Sequence, residues 1–328
     1  MADKKKAMEN LDFKDRKTGL VIFGIIHIII GAFCALGIPL TIFSMMAASV
    51  LDKSAAPPMG VGQMILVVIS YLLLAIWFIW LGIGSILARR WARALILISS
   101  WLWLISGVFG LIFILLLMPD IFGPMAMGEA IPNEIAVVIQ SIVMGSMAII
   151  LIIIPGAFVL FYSSKHVKAT CAQRDPRVRW SDKAPLPVIT LSSLLGVVAI
   201  SMPFLGFYRW TVPFFGVVLS GIPGAVVVFI YALLFAYAAW GTYKLQIKAW
   251  WCGLLLTIAS GVSMVMTFSR VSLLEFYEQM NIPKESLEMI KELGMFQDST
   301  YLLVWGIGFI GFVGFMIYTK RYFKVSAL

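Results

Sequence analysis

Charge is scarce in this sequence of 328 residues: 12% are Asp, Glu, Lys or Arg, about half the share of an ordinary soluble domain. None of it falls within eight long apolar runs, at residues 18 to 39, 64 to 88, 94 to 118, 135 to 162, 188 to 205, 223 to 243, 250 to 268 and 300 to 319. Ion- and proton-coupled transporters keep ionisable groups at depth despite their cost in lipid, so the lack argues against carboxylate-driven coupling. Cysteine numbers 3, at Cys34, Cys171 and Cys252, which excludes a disulfide framework. Histidine numbers 2, and His27 and His166 do not share a run, which argues against a haem held by two histidines within a span. His166 and Cys171 are too few for a metal site. The sequence has no G-x-x-x-x-G-K-[ST] phosphate loop, no H-E-x-x-H zinc pair, no G-x-S-x-G nucleophile turn and no acid pair within a run. These absences disfavour an enzyme, and they specify no cofactor.

What is abundant is apolar length. Hydrophobic residues make up 61% of the chain and mean hydropathy is +0.99. Each run approaches the roughly 20 residues needed to cross a bilayer as a helix, and none shows the two-residue alternation of a membrane barrel. The expected fold is therefore all-α and polytopic, with eight transmembrane helices. The opening "MADKKKAMENLDFKDRK" is long and acidic for a signal n-region and no small-residue cleavage site follows, so the first run is expected to remain as an anchor.

The flanking charges sort by side. With eight spans, 20 of the 25 basic residues lie on the side of the termini, whereas 10 of the 16 acids lie opposite. Lys and Arg near spans are retained in the cytoplasm, which places both termini inside and fits a bacterial cytoplasmic membrane. The net charge of +9 then follows from topology, and nucleic acid is not an expected partner.

Short echoes suggest duplication. "IPNE" (131 to 134) precedes the fourth run and "IPKE" (282 to 285) the last, while "LGIPL" (36 to 40) resembles "ISMPF" (200 to 204), "SGV" (106 to 108) recurs at 260 to 262, and "FYSSKHVK" (161 to 168) resembles "IYTKRYFK" (317 to 324). Two tandem four-helix repeats of the same orientation are expected, since an even number of spans per repeat preserves orientation. The layout is a basic N-terminal segment (1–17), a first repeat (18–163), a basic cytoplasmic linker (164–187), a second repeat (188–319) with a short outer helix near 283–293, and a basic tail (320–328). The linker's basic residues suit anionic headgroups. Apolar outer caps are expected at 40 to 50 and 210 to 221. Gly306, Gly308, Gly311 and Gly314 would allow close helix approach.

Candidate site residues are few. His27 lies about 13 Å deep in the first run at 1.5 Å per residue, and Trp77, Trp80 and Trp103 lie at similar depth. They suggest an aromatic pocket with a titratable donor for a ring-bearing or lipid ligand; the plainer reading, which the base rate of such pockets favours, is that the indoles fill volume and His27 bonds a neighbouring helix. Pro39, Pro155, Pro203 and Pro223 mark candidate kinks. Three functions are consistent with this: a binding or assembly protein for a lipid, an apolar molecule or a membrane protein partner in a cleft between repeats; a non-ion-coupled transporter or channel whose path would use the hydroxyls of Ser70, Ser99, Ser100, Ser106, Ser141, Ser146, Thr257, Ser260 and Ser263; and a quinone-binding redox subunit centred on His27 and the Trp pocket. The first is favoured.

Overall fold

A computed structural model describes residues 14–51, 61–117, 133–280, 282, 287–288 and 300–323. Among these, seven helices are long and apolar enough to cross a membrane, and the architecture is that of a helical, multi-pass membrane protein. In chain order the helices are α1 (Lys17–Leu51), α2 (Val61–Ile86), α3 (Arg90–Leu117), α4 (Asn133–Ala148), a π segment (Ile149–Ile153), α5 (Ile154–Ser163), α6 (Lys165–Arg174), α7 (Leu186–Ser201), α8 (Gly221–Tyr243), α9 (Ile247–Phe268), α10 (Leu273–Glu278) and α11 (Thr300–Thr319). The chain divides into two compact units, Met1–Ile42 with Val68–Leu111 and Val138–Lys183, and Phe43–Val67 with Ile112–Val137 and Ala184–Leu328. Residues 164–183, expected as a linker, thus belong with the first unit.

In the first unit the periodicity of α1 is inverted relative to a soluble helix. Its inward stripe is Leu20, Gly24, His27 and Gly31, whereas Ile22, Ile25, Ile29 and Phe33 face outward. Lipid solvates large apolar side chains as well as a core does, so small and polar residues are the ones turned inward. Gly24 and Gly82 let α1 and α2 approach closely: a Cβ on Gly82 would lie 2.6 Å from the Gly24 carbonyl oxygen. Across the same interface Ser85 Oγ donates to Leu20 O at 2.8 Å and shares a 2.6 Å hydrogen bond with Tyr162 of α5.

The run expected as one helix over 135 to 162 contains a π turn. Ile154 N–H bonds Ile149 O, five residues back. Pro155 is the local cause, because it has no N–H to offer Leu151 O and its ring crowds the preceding turn. Gly107 of α3 sits against that same carbonyl, where a side chain would collide with it.

In the second unit α7 and α8 pack through Leu191, Leu195, Phe235 and Ala238, and Ser192 Oγ donates to Ala239 O at 2.8 Å. Trp250 of α9 is 1% exposed and its indole N–H reaches Met316 O and Thr319 Oγ1 of α11 at 3.1 and 3.2 Å. The apolar cap at 210 to 221 is a β-hairpin: β1 (Val212–Phe214) pairs antiparallel with β2 (Val217–Leu219). Its two-residue turn, Phe215 and Gly216, has positive φ at both positions, 41° and 95°, the turn whose twist matches flanking strands. Ser263 and Thr267 of α9 hold it, accepting from Phe215 N–H at 2.9 Å and Gly216 N–H at 3.1 Å. Helix α10 opens with Ser272 Oγ accepting from Glu275 N–H at 3.1 Å, a regular N-cap.

The α2–α3 and α8–α9 turns have the same geometry. Arg89 N–H bonds Gly84 O and Ala88 N–H bonds Ser85 O; 157 residues later Gln246 N–H bonds Gly241 O and Leu245 N–H bonds Thr242 O. Ala88 and Leu245 both adopt left-handed backbone, with φ of 53° and 58°. This is a Schellman ending in which a non-glycine takes the place usual for glycine. The burial pattern over 81–85, two buried, one exposed, two buried, recurs over 238–242.

Several expectations differ from what the chain does. Helix α1 continues to Leu51, well past the expected end at residue 39. The fifth run ends as α-helix at Ser201 and continues as a 3-10 segment, Met202–Tyr208. The two matching turns stand 157 residues apart, whereas the "SGV" echo is offset by 154. Gly306, Gly308, Gly311 and Gly314 meet no neighbour within 4 Å at their Cβ positions, so no close approach is built on them among the described residues. Of the short outer helix near 283–293, Leu287 and Glu288 are helical and the rest lies outside the described residues, as does most of both "IP" echoes.

Candidate functional site

His27 sits on the inward stripe of α1 and is 1% exposed. Its Nδ1 lies 2.9 Å from Phe23 O, one turn back on its own helix. The ring packs on Phe158 with centroids 4.3 Å apart, and Phe78 and Tyr162 complete the surround at 6.0 and 6.3 Å. Trp103 of α3 joins through the same two phenylalanines, 5.9 Å from Phe78 and 6.4 Å from Phe158. His27 and Trp103 therefore share one aromatic cluster. Trp77 and Trp80 lie elsewhere: their rings are 6.0 Å apart, and Trp80 is 47% exposed and stacked at 4.3 Å on Trp91.

The cluster members that the sequence reading misses are Phe78, Phe158, Tyr162 and Ser85. Phe158 and Tyr162 are spaced i, i+4 and so share a face, but nothing in an apolar run distinguishes that face from the one bathed in lipid. Ser85 lies near the end of an apolar run, where a hydroxyl reads as interfacial.

The prolines occupy four different settings. Pro39 lies inside α1, which runs on beyond it. Pro155 follows the π turn. Pro203 stands in the first turn of the 3-10 segment. Pro223 is in the first turn of α8, where N–H groups have no helical partner and none is lost.

A second polar cluster closes the end of the first unit at the α2–α3 turn. The Asp175 side chain is 1% exposed and takes both arms of Arg179, Nε at 3.0 Å and Nη2 at 3.0 Å. It also accepts from the Arg90 backbone N–H at 3.4 Å, at the start of α3, and Arg89 approaches to 3.8 Å. Arg90 reaches Asp182 at 3.4 Å and Ala172 O at 3.1 Å. Burial alone would raise the Asp175 carboxyl, but the Arg179 fork, the Arg90 N–H and the nearby guanidinium charges together hold it below the ordinary carboxylate value. Cys171 is buried beside this cluster, and burial pushes its thiol up to about 11, so it is not a reactive thiolate. No family model, curated protein or solved structure matches the chain.

The hydroxyls in the spans are mostly turned to their own helices. Ser99 donates to Leu95 O, Ser106 to Leu102 O, Ser146 to Val143 O, Thr257 to Gly253 O and Ser260 to Leu256 O, at 2.7 to 2.9 Å. Ser263 instead serves the hairpin, donating to Pro213 O at 3.0 Å. Back-bonding of this kind satisfies a hydroxyl without presenting it to a passing solute. Among the described residues no group of three or more His, Cys, Asp or Glu is placed to hold a metal ion.

Proposed function

We propose that this chain is an eight-span protein of a bacterial cytoplasmic membrane, both termini inside, built of two tandem four-helix repeats. Helix α11, 20 residues long, supplies the eighth span. The paired turns support the repeat: two non-glycine residues 157 apart take the same left-handed backbone and the same pair of capping bonds, where glycine is usual. In each repeat the inward stripe of the first helix has matching spacing, Gly24, His27 and Gly31 against Val188, Leu191 and Leu195.

The activity that fits this geometry is binding: the chain holds a lipid, an apolar molecule or a partner helix. The observation that carries it is how the polar groups of the spans are used. His27 is enclosed and bonded to Phe23 O, Ser85 and Tyr162 bond each other, and the span hydroxyls named above bond their own helices or the hairpin. Chemistry or conduction would use such groups, whereas binding in a bilayer uses the apolar surface and the charged ends. Purification from native membrane in mild detergent, beside an unrelated multi-span protein, tests this. A lipid, small molecule or protein retained by this chain and not by the control is expected; identical background lipid on both would contradict it.

A further inference from the structure

The two repeats treat their basic ends differently. In the first, Arg89, Arg90 and Arg179 are met by Asp175 and Asp182. In the second, the corresponding end carries Lys244, Lys248, Lys320 and Arg321, and the sequence has no Asp or Glu between Asp182 and Glu275 or after Asp298. Arg321 is occupied by the hydroxyls of Tyr318 and Tyr322. Lys320 is placed by packing: the buried Trp250 indole ties α11 to α9, and the Lys320 ammonium lies 4.4 Å from the Trp251 ring centre. A shallow, open groove lies against the Trp251 ring. Its lining is Lys248, Trp251, Cys252, Leu255, Leu256 and Ala259, one face of α9 running from a charged mouth to an apolar floor. Trp251 is 43% and Leu255 61% exposed, so the face is open.

We infer that this groove binds an anionic glycerophospholipid, its phosphate between Lys248 and Lys320 and one acyl chain along Leu255, Leu256 and Ala259. The choice of occupant follows from charge and polarity together. A free phosphate would leave the apolar floor uncovered, and a zwitterionic lipid would set its ammonium against two lysines whose sequence neighbourhood, 183–274 and 299–328, holds no carboxylate side chain. A membrane-spanning partner helix would cover the floor but leave the lysines uncompensated. The indole at the mouth also suits the headgroup level, where tryptophan is enriched. The inference rests on the binding role proposed above and names its ligand and place.

Titration of the purified full chain with phosphatidylglycerol or phosphatidylcholine of identical acyl chains, read by native mass spectrometry, tests it. Wild type should prefer phosphatidylglycerol. Lys248→Gln with Lys320→Gln should weaken that binding about fivefold per lysine and roughly 25-fold together, from the worth of a basic residue near an anionic headgroup. Lys165→Gln with Lys168→Gln, on α6, should leave it unchanged. Equal binding of the two lipids, or a Lys248/Lys320 double variant that behaves as wild type, overturns the inference. If that double variant still retains its specific ligand from native membrane, only this site falls; if wild type itself retains none, the binding role falls with it.

Discussion

At the scale of single residues, the most committed side chain is Asp175. Its carboxylate holds Arg179, the Arg90 N–H and the field of Arg89, so Asp175→Asn should cost about 1.5–3 kcal/mol, the range for hydrogen bonds to charged groups, read as a lower midpoint of thermal unfolding in detergent. The pH dependence has a definite sign. A carboxyl held below its unfolded value contributes stability that is fully present above that value, 3.8, and is lost as pH falls through the lower, folded one. Wild type should therefore lose part of its stability below about pH 4, and Asp175→Asn should remove that part. His27 has a different character. It is enclosed by Phe78, Phe158 and Tyr162 and bonded within its own helix, so His27→Leu should leave any specific retained ligand unchanged. Loss of a copurifying quinone from that variant would instead support a redox role. The depth of His27 is legible in the sequence, but its surround is not, because Phe78 and Phe158 are two phenylalanines among 23, with no charge to set their faces apart. Asp175 was hidden for the opposite reason: in a basic loop its role depends on a fold that brings it back to the start of α3.

Among elements, helix positions were the most legible, since a run of about 20 apolar residues bounded by charge has few other readings. What lies between the helices was harder to see. The α2–α3 and α8–α9 turns contain neither Gly nor Pro at Ala88 and Leu245, the residues that take left-handed backbone, so no turn signal marks them. The hairpin at Val212–Leu219 looks from sequence like surplus apolar length, because β-branched and aromatic residues serve strands and membrane helices alike. The left-handed residue offers a test of the turn itself. An L-residue there costs roughly 1–2 kcal/mol relative to ordinary helical backbone, and glycine relieves it. Ala88→Gly should raise the unfolding midpoint, whereas Ala75→Gly, at a buried position in the middle of α2, should lower it by at least the helix-interior cost of about 1 kcal/mol. A lower midpoint in both would show that the turn is not as described.

For the molecule as a whole, composition and hydropathy were enough to indicate a helical membrane protein, while the proposed duplication rests on short sequence echoes and on two turns of matching geometry. Under that proposal, four-residue echoes would drift by several positions as loops change length, whereas capping bonds and burial would hold once a turn is packed. The expected orientation makes a direct prediction. A cysteine at Gln246, in the α8–α9 turn, should be labelled by a membrane-impermeant maleimide only after cells are opened, and one at Glu278, at the end of α10, should be labelled on intact cells. The reverse pattern would invert the topology and with it the side on which Lys248 and Lys320 meet lipid. The most direct measurement for the binding role is the native mass of the detergent-washed protein from its own membrane. A specific adduct of about one ligand per 36.4 kDa chain is expected; a bare chain, with its fold intact by circular dichroism, would contradict it.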